Sequence, residues 1–135
     1  MTRTKIFKRS LPVLIVIMML LSTSIVAFAA YHSQTVSMLQ NGGPYTTLGM
    51  TFEGTQVSLL SDAKAVGVLP SETHYQVRLE KQQWWGWSEY QTVNLPNNTQ
   101  SSITWTNTGS GTFRFVFSRP RYDIGSVTIK MQAMN

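Results

Sequence analysis

The chain reads as an all-β protein: a single antiparallel β-sandwich of about eight strands, jelly-roll-like, behind an N-terminal signal peptide. Three observations predict this. Apolar residues after residue 31 recur with a period of two, and no segment there shows a helix-length period of 3.6. The apolar runs are separated by glycine, asparagine and proline clusters. The first thirty residues carry a positive start, an apolar middle and a small-x-small end.

In the leader, Arg3, Lys5, Lys8 and Arg9 precede the apolar run Leu11 to Leu21. Ser22-Thr23-Ser24 softens the run, and Ile25-Val26-Ala27-Phe28-Ala29-Ala30 closes it. Ala27 and Ala29 fit the small pockets of a signal peptidase, so cleavage is expected after Ala29. Residues 1–29 are then the signal peptide and 30–135 the β-sandwich domain. The rival reading is an uncleaved anchor, because Leu11 to Ala30 is long enough to span a bilayer. Pro12 and the Ser-Thr-Ser break oppose it. No cysteine follows, which excludes a lipoprotein anchor.

The leader also explains the net charge. The chain has 11 basic and 6 acidic side chains, four of the basic ones in the leader, so the remainder carries about +1. That balance makes no case for nucleic acid. Membrane contact is expected only during export. With no cysteine, the small core must suffice without disulfides. A cysteine-free exported protein fits a Gram-positive bacterium by analogy.

The strands follow in order. Val36 and Met38 alternate with polar neighbours; so do Leu48, Met50 and Phe52, and then Val57 and Leu59. Ser61 to Val68 is ambiguous, a helical turn or a loop over one end of the sandwich. Tyr75, Val77 and Leu79 form the next run, and Val93 and Leu95 follow. Trp84-Trp85-Gly86 between them predicts a hairpin with a three-residue loop and glycine in the left-handed position. That register sets Gln83 opposite Trp87, Lys81 opposite Glu89, Val77 opposite Val93 and Tyr75 opposite Leu95. Ile103 and Trp105 are expected to pair with Phe115 and Phe113 in a second hairpin across Asn107 to Gly111. Val127, Ile129, Met131 and Ala133 form the last strand, a possible exposed edge.

Two places carry candidate binding residues. The cluster Trp84, Trp85 and Trp87 cannot all enter the core, because successive side chains on a strand point to opposite faces. Either Trp87 joins the core under Trp84 and Trp85, or an indole faces a ligand such as a sugar ring, a membrane or a protein. Arg119, Arg121 and Tyr122 mix cations with an aromatic in a loop. The arginines either grip an acidic ligand or stay solvated and paired with Asp123.

Other chemistries are poorly served. His32 and His74 lie far apart, and His32, near the new N-terminus, is expected to be mobile. Asp62, Glu72 and Asp123 match no calcium loop. No cysteine nucleophile or Gly-x-Ser-x-Gly elbow exists. Glu80 and Glu89, the obvious carboxylate pair, fall on opposite faces of the expected hairpin. No catalytic residue, metal or cofactor is assigned.

Gly109-Ser110-Gly111-Thr112-Phe113-Arg114-Phe115-Val116-Phe117, leading to Gly125-Ser126-Val127-Thr128-Ile129, resembles the closing strands of small secreted jelly-roll modules of the pre-peptidase C-terminal domain type. Val57-Ser58-Leu59-Leu60 and Tyr75-Gln76-Val77-Arg78-Leu79 look like their earlier core strands. The resemblance spans residues 50 to 133 and implies an accessory role in attachment or secretion. The aspartate-rich core strand of that family is missing, so no calcium site carries over. The expected function is a secreted, non-catalytic module that binds a cell-wall glycan or an extracellular protein. A membrane-active effector and a self-assembling matrix protein are the alternatives.

Overall fold

The structure, a computed structural model, describes residues 31–135. The expected signal peptide lies outside the described residues. Nine strands run in order: β1 (Tyr31–Met38), β2 (Tyr45–Thr46), β3 (Met50–Phe52), β4 (Gln56–Val66), β5 (His74–Gln83), β6 (Gly86–Pro96), β7 (Gln100–Thr106), β8 (Gly111–Ser118) and β9 (Ser126–Met134). They form two antiparallel sheets, one in the order β1-β9-β4-β7 and the other β2-β8-β5-β6, with β3 also on β8. Taking β2 and β3 as one interrupted strand, this is the jelly-roll order.

Alternation builds the core. Val57, Leu59 and Ala63 of β4 face Tyr75, Val77 and Leu79 of β5, and Phe113, Phe115 and Phe117 of β8 fill the centre. Burying a side chain of this size contributes roughly 1.5–3 kcal/mol. Rings meet in tilted pairs, such as Trp105 with Phe115 at 5.8 Å and Phe115 with Phe117 at 6.4 Å.

Several local expectations change. Ser61 to Val66 belongs to β4; a serine and two alanines occupy its inward positions, which weakens the apolar signal. Ser61 is nonetheless buried, and its hydroxyl is hydrogen-bonded to that of Tyr75. The second expected hairpin does not form. Trp105 pairs with Val57 on β4, and Phe113 pairs with Lys81 on β5, so β7 and β8 lie in different sheets. Asn107 (φ 57°) and Gly109 (φ 64°) turn the chain across the sandwich. Both layouts bury the same residues, so alternation alone does not separate them. β9 is an interior strand rather than an edge, flanked by β1 and β4. Leu48 leaves the strand pattern and stands 81% exposed between β2 and β3.

The first hairpin keeps its expected register only at its base. Val77 pairs with Val93 and Tyr75 with Leu95, but towards the tip Gln83 pairs with Gly86, Lys81 with Ser88 and Glu80 with Glu89. A bulge between Arg78 and Glu80 absorbs the one-residue difference. The loop therefore has two residues, Trp84 and Trp85, and Gly86 takes φ 142° beside them. Trp105 Nε1 donates to the carbonyl of Gln91 at the bulge (3.3 Å).

Candidate functional site

β5 runs the length of the sandwich between two sets of loops. At the end where β5 turns into β6, Trp84 is 95% and Trp85 59% exposed. Trp87 does not join the core. It pairs with Gln82 and so faces outward from the five-stranded sheet. There its ring lies 4.1 Å from the Arg114 guanidinium carbon. Three of the candidate residues thus meet at one corner.

That corner has a polar foundation that reading the sequence missed. Glu80, buried on the outer face, receives Arg78 on one carboxylate oxygen (Nη2 at 3.0 Å) and Arg114 on the other (Nη2 at 3.1 Å). Arg78 Nε also lies 4.0 Å from Glu89. The available signal was the run of opposite charges at outward positions of β5 and β8. Arg114 is therefore fixed by Glu80 from one side and offers its face to Trp87. Glu80 and Glu89 are cross-strand partners on one face, because the bulge shifts the register there. Glu80 is held in the double ion pair.

The other three candidates sit at the opposite end, since Ser118 pairs with Gln76 near the start of β5. Arg119 is buried and spends all five N–H groups inside the fold. Two go to Glu72 (2.7 and 3.1 Å). Three go to the carbonyls of Met38 (3.4 Å), Gly125 (2.9 Å) and Ile124 (2.6 Å). Nothing remains for a ligand, so the sequence-level assignment of Arg119 as a contact does not stand. Tyr122 packs against the core, and its hydroxyl accepts the Arg119 backbone N–H (3.0 Å). Arg121 is exposed and paired with Asp123 at 2.5 Å. Hydrogen bonding within that pair raises the arginine pKa and lowers that of the aspartate.

A groove of about 360 Å³ opens at this same end, between Val68, Leu69, Pro70, Thr73, Asn97 and Asn98. His32 is half-buried in β1, its ring edge-on to Phe52 at 5.3 Å. Among the described residues no group of three or more His, Cys, Asp or Glu is placed to hold a metal ion.

No protein-family model and no curated protein matches the chain. Solved structures do. The chain is similar to tripeptidyl peptidase 2 at TM-score 0.55 and 9% identity, over 80% of this chain and 10% of that one. It thus spans about a tenth of that protein's length. CBM4 is similar at TM-score 0.46 and 11% identity, over 82% of this chain and 86% of that one. The CBM22-1 xylan-binding domain of Paenibacillus barcinonensis Xyn10C is similar at 0.43 and 6%, over 80% and 97%. At such identities the likeness is one of fold. No pre-peptidase C-terminal domain stands among these structures.

Proposed function

We propose that the protein is a non-catalytic binding module acting at or outside the cell envelope. It holds a glycan at the corner formed by Trp84, Trp85 and Trp87. One observation carries this reading: two adjacent indoles stand in solvent on a two-residue turn, beside a third held over Arg114. Exposing such area without a partner is uncommon for a monomer. Indole faces stack on the C–H faces of sugar rings, and Gln82, the cross-strand partner of Trp87, offers an amide to sugar hydroxyls. The Arg78–Glu80–Arg114 network holds Trp87 in place before the ligand arrives, which lowers the entropy lost on binding there.

A glycan array and a cell-wall pull-down, each with wild type and Trp84→Ala/Trp85→Ala, test this. Wild type binds and the double variant does not. Equal retention by both removes the site. A second reading, insertion of the tip at a membrane interface, is favoured by one observation. Tyr31 pairs with Met134 at this same end of the sandwich, so an uncleaved leader would emerge beside the tip. Dye leakage from liposomes on adding wild type, lost in the double variant, favours that reading; a glycan-binding module causes none.

A further inference from the structure

The two sheets treat their edges differently. In the five-stranded sheet one edge is made of the short strands β2 and β3. The other is β6, which carries the bulge, Glu89 and Pro96, with the Trp105 indole on its Gln91 carbonyl. Short strands, bulges, charge and proline are the devices that keep an edge from pairing with another chain. The four-stranded sheet has none of them. β1 is YHSQTVSM and β7 is QSSITWT, both without Lys, Arg, Asp, Glu or Pro. β1 keeps an unbroken register with β9 over eight residues, and β7 with β4 over seven. Among the described residues no strand pairs with the outer side of either.

The two edges also complement each other. β1, β9, β4 and β7 alternate in direction, so β1 and β7 are antiparallel. A second copy displaced by one sheet width therefore sets its β1 antiparallel against β7, with closely matched lengths. The outward residues that would meet are exposed Ser33 and Thr35 on β1 and Ser102 and Thr104 on β7. Within the chain the same chemistry already operates, because Ser58 Oγ and Thr104 Oγ1 lie 2.8 Å apart across β4 and β7. Such cross-strand hydroxyl pairs stabilise sheets.

We propose that the occupant of these edges is a second copy of this chain, β7 of one molecule pairing with β1 of the next. The contact is head-to-tail and leaves one β1 and one β7 open at the ends. It therefore propagates into a ribbon rather than closing as a dimer. The sheet twist turns each copy relative to the last, so the Trp84–Trp85 tips wind around the ribbon, roughly 19 Å apart along its axis, four strand spacings. The ribbon becomes a multivalent display of the hairpin, although the pairing itself does not depend on what the hairpin binds.

Sedimentation of the chain, as recovered from its producing cell, tests this across concentration. Wild type is expected to grow from monomer into an open series. A monomer up to about 1 mM overturns the proposal. Ser33→Lys blocks β1 and Ser102→Lys blocks β7, and each variant alone should stay monomeric, with self-association weakened at least about tenfold. Mixed in equal amounts, they should form dimers and stop there, because only one competent edge pair remains. Self-dimerisation of Ser33→Lys indicates two-fold β7 pairing and overturns the head-to-tail contact; growth of either variant like wild type overturns it altogether. Circular dichroism confirms folding of each variant. If a lysine variant does not fold, Thr35→Glu and Thr104→Glu repeat the design.

Discussion

Glu72→Gln tests the strongest electrostatic element of the fold. The side chains of Arg119 and Glu72 are 0% and 2% exposed, so water screens neither. The Glu72 carboxylate is the only anion among the acceptors that Arg119 uses. Making it a neutral amide leaves a buried guanidinium uncompensated and turns an amide N–H₂ towards one of its donors. Breaking a buried pair in this way costs about 3–5 kcal/mol. Total stability for a domain of this size is on the order of 5–15 kcal/mol. With a urea slope of about 1.5 kcal/mol/M, the midpoint falls by about 2–3 M at unchanged slope. Arg119→Met costs a similar amount, because it strands the carboxylate and the Met38, Ile124 and Gly125 carbonyls. The double variant should lose clearly less than the two singles together. A loss below about 1 kcal/mol in Glu72→Gln would mean the pair behaves like a surface ion pair, and the argument from burial would fail.

Gly125→Ala should destabilise by more than about 1 kcal/mol in the same urea assay. Gly125 has φ +70°, and a Cβ there would meet the Gly67 carbonyl carbon at 2.5 Å. Tyr75 gives a pH test. Burial is the main cause that raises its pKa above the ordinary value of about 10, so the fold holds the proton that the unfolded chain releases. Its contribution is complete below pH about 10 and is lost as pH rises through the folded value. Tyr75→Phe costs about 1–3 kcal/mol at neutral pH, because Ser61 loses its partner. That gap between the two midpoints should narrow on moving above pH 10; a constant gap removes the titration argument. Trp84→Ala/Trp85→Ala should shift thermal unfolding by an amount equivalent to less than about 0.5 kcal/mol, since both indoles are exposed; a larger loss would give the tip a structural role.

The strands were legible because their inward positions are large and apolar, as at Val77, Phe115 and Ile129. Legibility failed where inward positions are small, as at Ser61 and Ala63, where a buried hydroxyl partnership holds the strand instead. It failed again at pairing. Trp105 and Phe113 satisfy one burial pattern either as hairpin partners or as neighbours across the sandwich, and only the other strands decide between these. The hairpin shows the same limit at finer scale. Its base was readable from Val77, Val93, Tyr75 and Leu95, which bury on one face. Its tip was not, because nothing apolar fixes the phase of Gln82, Glu80 and Glu89, and a bulge there leaves the core pattern intact. The three indoles were visible as a cluster, while Arg114 became part of the corner only once β8 lay beside β5.

Arg119 and Trp84 make the sharper contrast, since both were candidate contacts and lie at opposite ends of the sandwich. An arginine near a tyrosine and an aspartate has the composition of an anion site. Its chemistry is decided by whether its donors are already filled, and here the end of β1 and the loops after β4 and β8 fill all five. An indole has one donor and a large apolar face, so loops saturate it less readily, and on a two-residue turn nothing can fold over it. The same jelly roll therefore closes its ends by different means. One end is cross-linked by a buried ion pair. The other presents two exposed indoles beside a third held over Arg114, which Glu80 ion-pairs. The ligand proposed above belongs at the end that leaves two indoles in solvent.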